Sequence, residues 1–223
     1  MRSKVMTSCE GYDASKTPIM ISFPKQLVVA LCLTMAFVSC SSDDDNSDRD
    51  AVQAAEIENF ISSEVQQTLE RFNFEFVLGT DDVDLSGTFL FDPLILVDSN
   101  IENDTPAGSS FNSILATFSN LDPVNRTLDY TDNSDSVQGA SAQSYYTACG
   151  NQFNVFVRVT NQFGESTYVT LRAVSGTMDE TGIIDARLTE IMLDDQGDSF
   201  NILIENGEGR LFEDSDGLAT RIE

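Results

Sequence analysis

The sequence predicts a β-rich α+β domain: one antiparallel meander sheet, curved or partly closed, with an N-terminal helix against one face. Three observations carry that prediction. Ile57, Ile61, Val65, Leu69 and Phe72 recur at helical spacing across 51–71. From Phe153 onward, strand-like runs follow one another at 153–160, 167–174, 183–193 and 200–205. The links between these runs are short and rich in turn-forming residues: Asn161-Gln162-Phe163-Gly164, Asp179-Glu180-Thr181-Gly182 and Asp194-Asp195-Gln196-Gly197. Links of this length join antiparallel neighbours.

The remaining elements follow in order. Phe72, Phe74, Phe76 and Leu78 alternate, which predicts a strand turned by Gly79-Thr80-Asp81-Asp82. Short strands are expected at 86–91 and 94–97, on either side of Asp92-Pro93. After a loop over 98–109, Phe111, Ile114, Leu115 and Phe118 fit a short helix, capped by Ser109 or Ser110 and ended before Pro123. The stretch 129–144 is dominated by Asp, Ser, Asn and Gly, so a long loop or irregular edge is expected. A last hairpin through Asn206-Gly207 brings in 210–213. The alternative architecture is an Ig-like β-sandwich. Val157-Arg158-Val159-Thr160-Asn161-Gln162-Phe163-Gly164-Glu165-Ser166 resembles a hairpin of Ig-like and PKD-type extracellular modules, over that one hairpin only.

Ahead of the domain, 26–39 reads QLVVALCLTMAFVS, and Lys25 precedes it. That run is shorter than the roughly 20 residues a spanning helix needs and matches the apolar region of a secretory signal. It ends in Phe37-Val38-Ser39-Cys40, followed by Ser41-Ser42-Asp43-Asp44-Asp45. Phe37 to Cys40 resembles the lipobox of bacterial lipoproteins, with Ser39 at the small position before the cut and Phe37 in place of the usual leucine. The serine and aspartate run resembles the export signal of Bacteroidota-type surface lipoproteins. The resemblance covers residues 20–46. It implies cleavage before Cys40, lipid on that cysteine and display on the outer membrane facing outward. Met20 opens the compact start MISFPK, so 1–19 reads as a misassigned extension. The expected organisation is a signal peptide over 1–39, a lipidated acidic tether over 40–50 and one globular domain over 51–223.

Charge narrows the partners. The 223-residue chain carries 12 basic and 37 acidic residues, a net charge of −25. Processing would remove Arg2, Lys4, Lys16, Lys25, Glu10 and Asp13, leaving 184 residues with eight arginines, no lysine and a net charge of −27. Nucleic-acid binding depends on cationic neutralisation of phosphates, so no nucleic-acid partner is expected. The expected attachment to a membrane is through the lipid on Cys40; the partner beyond it is a small ligand, a glycan or a protein. Cys9 and Cys32 would leave with the signal, so Cys149 is expected to stand alone as a small buried apolar residue.

Most catalytic chemistries need groups that the processed chain lacks. Without His or Lys there is no Ser-His-Asp or Cys-His nucleophile, no lysine Schiff base and no histidine-containing zinc site. No phosphate-binding glycine loop is present. A non-enzymatic binding module is therefore expected. The alternative is a carboxylate-dependent, glycosidase-like hydrolase, since such chemistry needs only two acids at the right separation. No cofactor is expected beyond a weak calcium site at Asp194, Asp195 and Asp198, against the plainer reading of solvated turn carboxylates. Asp82-Val83-Asp84-Leu85-Ser86-Gly87 opens like an EF-hand loop but puts Pro93 where the bidentate glutamate belongs. The candidate ligand site is a patch of Arg158, Arg172 and Arg187. Strand alternation is expected to set all three on one sheet face, opposite Val157, Leu171 and Leu188. The plainer reading has each arginine paired with Asp185, Glu190 or another acid.

Overall fold

Two helices, one strongly bent antiparallel sheet and a short parallel strand pair make up the computed structural model, which describes residues 6–7, 44–133, 143–164, 166–198 and 202–222. Cys40 and the apolar run before it lie outside the described residues. The expected single helix is two. Helix α1 spans Asp44–Phe60 and α2 spans Ser63–Arg71. Ser62 separates them in an extended conformation, and its Oγ accepts the Val65 N–H at 3.3 Å, an N-cap that restarts the helix. The apolar stripe survives the break: Ile57, Ile61, Val65, Leu69 and Phe72 are each at most 3 % exposed. Ser62→Ala is expected to cost about 1 kcal/mol, read as a shift in the urea midpoint with an unchanged slope. Helix α1 begins within the stretch 40–50 expected as a tether.

The strands are β1 Met6–Thr7, β2 Phe76–Val77, β3 Gly87–Phe91, β4 Leu94–Ser99, β5 Ser110–Phe111, β6 Ile114–Asp122, β7 Thr127–Asp132, β8 Gln143–Cys149, β9 Gln152–Phe163, β10 Ser166–Met178, β11 Gly182–Asp194, β12 Gly209–Asp214 and β13 Leu218–Ile222. Strand β1 lies parallel to β2, apart from the main sheet. The meander β9–β10–β11 is as expected; β8 extends it, and with β7 it puts strand at both ends of the 129–144 stretch expected as loop or irregular edge. Beyond it, the free edge of β11 forks. Residues 187–191 pair with β12, which leads to β4 and β5, while 182–184 pair with β13, which leads to β3, β6 and β7.

The second branch curls until β7 faces β8. There the Tyr146 N–H donates to the Arg126 carbonyl at 2.9 Å, and the Ser144 hydroxyl sits between the Leu128 N–H at 2.8 Å and its carbonyl at 2.6 Å. The sheet is curved and unclosed, one sheet rather than two, which overturns the sandwich alternative. Its concave side encloses one core, including Phe89, Phe118, Phe153, Val174 and Leu188. Its outer side carries a second core, where Ile57, Ile61, Leu69, Phe74 and Phe76 from the helical segment cover Phe156, Leu171 and Ile191.

Three expected elements differ. Only Phe76–Val77 of the alternating 72–78 run is strand, although Phe72, Phe74 and Phe76 are buried and Asn73 and Glu75 exposed as the alternation requires. Asn73 is left-handed at φ 52°, and the N–H groups of Phe74 and Asn73 still serve the helix end, so pairing starts later. The expected helix at 111–118 is β5 and β6. Its apolar spacing is helical, but pairing to β3 and β7 overrides it, burying Ala116 and Phe118 while Leu115 and Thr117 stay half-exposed. The strand expected at 200–205 is not formed by residues 202–205. One Asp198 carboxylate oxygen takes the N–H groups of Ile202 and Leu203, and β12 fills the place beside β11.

Candidate functional site

The arginine patch does not exist as one face. Phe163 pairs with Ser166, so a two-residue turn sets the β9–β10 register and places Arg158 opposite Leu171 and Val157 opposite Arg172. Directly opposed residues share a face, and a slip of one residue reverses every side chain. Arg158 therefore lies on the helix side with Leu171 and Ile191, whereas Arg172 points into the concave core. Arg187, opposite Ser175 and Glu213, lies on the helix side, four residues along the strand from the Arg158 row, or about 13 Å.

Arg172 is 2 % exposed and pairs with two carboxylates. Its Nη2 donates to Glu190 Oε1 at 3.0 Å, and its Nη1 pairs with Asp132. The Tyr130 hydroxyl donates to the same Asp132 carboxylate at 2.7 Å. Burial opposes the guanidinium charge, but Tyr130, Glu190 and Asp132 together hold its pKa well above the ordinary value. Burial pushes the Tyr130 hydroxyl far up. This is an internal charge network, with Glu190 in the compensating role foreseen for it. Arg187 lines a cavity of about 120 Å³ with Glu75 and Asp185 and makes no ion pair among the described residues.

The aspartates at 194–198 act as turn residues. Asp194 Oδ1 accepts the Gln196 N–H at 2.9 Å, Asp195 Oδ1 accepts that of Gly197 at 3.0 Å, and Asp198 is occupied by Ile202 and Leu203. No cluster of three metal-ligating side chains occurs among the described residues. Cys149 is disulfide-bonded, which corrects the expectation of an isolated cysteine; Cys9, Cys32 and Cys40 all lie outside the described residues.

A seam that sequence reasoning missed is the better site. Helix α1 lies along the gap between β7 and β8, and two cavities open on that seam. The first, about 550 Å³, is lined by Val52, Gln53 and Glu56 of α1, Val124 and Arg126 of the β6–β7 turn, and Tyr145 of β8. The second, about 540 Å³, is lined by Asn59 and Phe60 of α1, Asn120, Asp129, Gln143 and Arg158. The helical repeat explains the pairing: 52, 56 and 59/60 follow one stripe beside the buried Gln53–Ile57–Ile61 stripe. Gln53 docks the helix by giving its amide to the Gly79 carbonyl at 2.9 Å and taking the Gly79 N–H at 2.5 Å.

Each cavity holds one arginine. Among the described residues, ion pairs are made by Arg172 and Arg210, the latter with Asp104 at 2.6 Å. The Arg210 hydrogen bond holds the Asp104 carboxyl well below the usual carboxylate range. Among the described residues, Arg126 and Arg158 pair with no carboxylate. Arg126 is 7 % exposed, stacks on the Tyr146 ring at 4.2 Å and donates only to backbone: Nε to the Tyr146 carbonyl at 3.3 Å, Nη1 to those of Thr80 and Asp81 at 3.4 Å. Its Nη2 is buried without a partner. Arg158 lies over the Phe60 ring at 5.2 Å and donates to the Phe60 carbonyl and to Gln143 Oε1. Between them, the Tyr145 hydroxyl donates to Glu56, and burial pushes that hydroxyl's pKa up.

Arg126 carried little signal in the sequence. It follows the turn Asp122-Pro123-Val124-Asn125, whose shape comes from Asp122 Oδ1 accepting the N–H groups of Val124 and Asn125 at 2.9 and 3.0 Å. Those N–H groups, with the Asn125 side chain, hold Asp122 below its usual pKa. No helix among the described residues is long and apolar enough to cross a membrane. No protein-family model, no curated protein and no solved structure matches the chain.

Proposed function

We propose that the chain is an outward-facing outer-membrane lipoprotein, held by lipid on Cys40, whose domain binds an anionic ligand in the seam beside α1 and performs no catalysis. The observation that carries the binding reading is the pair Arg126 and Arg158. In a chain of net charge −25, two guanidinium groups line adjacent cavities and meet only neutral acceptors. A buried cation without an anion is costly, and a carboxylate or similar oxyanion supplies what is missing. Each of these cavities is lined by one acid, Glu56 or Asp129, where carboxylate hydrolysis calls for two. That difference favours binding over the hydrolase reading.

Thermal unfolding with acetate and with phosphate, each against chloride at equal ionic strength, tests the site. A rise in Tm beyond the chloride control, lost in Arg158→Gln or Arg126→Gln, is expected. Identical curves in all three salts would remove the anion reading.

The anchor rests on the run 26–39, Cys40 and the acidic residues after it. Intact mass of protein extracted from membranes is expected to give a chain beginning at acylated Cys40, and Cys40→Ala is expected to abolish acylation. Added protease should remove the domain from intact cells, and Asp43, Asp44 and Asp45 changed together to Ala should protect it. An unlipidated chain retaining 26–39 would end the anchor proposal. The pairing of β1 with β2 and the disulfide at Cys149, whose candidate partners all precede Asp44, stand on that opposing side.

A further inference from the structure

Val124, at 87 % exposure, and Val52, at 58 %, are the two most exposed large apolar residues described, and they stand on different elements. Both line the cavity that holds Arg126, with Pro123 beside them. Exposed apolar side chains scattered singly need no explanation, but two converging on one concavity beside a buried cation do. We infer that this cavity takes a monocarboxylate with an apolar body, its carboxylate toward Arg126 and its body against Val52, Pro123 and Val124. The inference rests on the anion reading of the seam.

Three features set the ligand class. Ligand pockets commonly measure about 300–1,000 Å³ and combine mostly apolar walls with a few polar groups, and this cavity of about 550 Å³ falls in that range. The Arg126 Nη1 contacts, both at 3.4 Å, are longer than the usual 2.9–3.0 Å or so, and Nη2 has none. A carboxylate therefore has donors to gain at small cost in bonds broken; a short shift of the side chain presents them. Glu56 lines the same cavity and is kept in place by the Tyr145 hydroxyl. Its charge, with the acidic surface around it, opposes a second anionic group. That selects a single charge with an apolar body over a polyanion.

The full-length, unlipidated chain in detergent-free buffer is titrated with octanoate, acetate and 1-octanol. Octanoate is expected to bind at least tenfold more tightly than either of the others. It is expected to move the methyl resonances of Val52 and Val124 and to leave those of Ile184 and Ile222 unchanged. Val124→Asp alters a side chain 87 % exposed, so folding is preserved, and it is expected to weaken octanoate at least tenfold. Arg126→Gln should do the same; if it fails to fold, Val124→Asp decides. Acetate binding as tightly as octanoate, with arginine dependence intact, overturns the apolar body and leaves the anion reading standing. Octanoate binding that ignores Val124→Asp and is lost in Arg158→Gln moves the ligand to the other cavity and overturns the inference. Equal binding of 1-octanol overturns the role of the carboxylate, and no binding by octanoate or acetate removes inference and anion reading together.

Discussion

Arg172→Ala is expected to lower the unfolding free energy by about 3–5 kcal/mol, because it strands a buried carboxylate. Asp132 is 7 % exposed and would lose its Arg172 partner, retaining the Tyr130 hydroxyl at 2.7 Å. Glu190 is 35 % exposed and can turn to water, so its share is smaller. An exposed pair would contribute about 0–1 kcal/mol, the outcome if all three arginines shared an open face. Urea unfolding of Arg172→Ala, of Asp132→Asn and of the double variant separates the two cases. A buried pair gives large single effects and a double variant much less destabilised than their sum. Additive changes under 1 kcal/mol or so would mean that the side chain is solvated and its network absent.

The sequence singled out this residue, as part of a ligand patch, but not its direction, and the reason is physical. Patterning fixes which residues alternate, whereas the register between strands depends on turn length, and one residue in the 161–166 link decides whether Arg172 faces the helices or the concave core. Strand β11 is a similar case. Its 183–193 run was plain from apolar residues, but nothing local announces that one edge will be shared between β12 and β13. The run 111–118 failed because its four apolar residues keep helical spacing, and pairing with β3 and β7 overrode it. The helix stripe Ile57–Phe72 was legible because five positions agree on one period and all five are buried. The Arg126 cavity was not legible at all. It is assembled from α1, the β6–β7 turn and β8, whose proximity arises only when the sheet curls far enough to bring β7 against β8.

That curl depends on a close approach at Gly182, where a side chain is expected to be strongly destabilising. The β13–β3–β6–β7 branch is paired to β11 through three residue pairs, Gly182–Thr220, Ile183–Ala219 and Ile184–Leu218. Gly182 has φ 152°, and a Cβ there would stand 2.1 Å from the Ala219 carbonyl oxygen, inside the contact distance of any two atoms. The obstacle is backbone in a paired strand, so it cannot swing aside as a side chain would. Gly182→Ala therefore combines overpacking, about 1–3 kcal/mol, with a backbone region open essentially to glycine, about 1–3 kcal/mol more. Gly150→Ala is the control: its φ is 56° and nothing lies within 4 Å of the added carbon, so only the conformational cost of about 1–2 kcal/mol remains. Urea unfolding should rank Gly182→Ala well below Gly150→Ala. Native-state hydrogen exchange should show the excess as lost protection in β3 and β6, led by Phe89 and Leu90, while β9 and β10 keep theirs. Equal costs for the two variants would mean that β13 does not lie against Gly182, and the fork in β11 would fall with that contact.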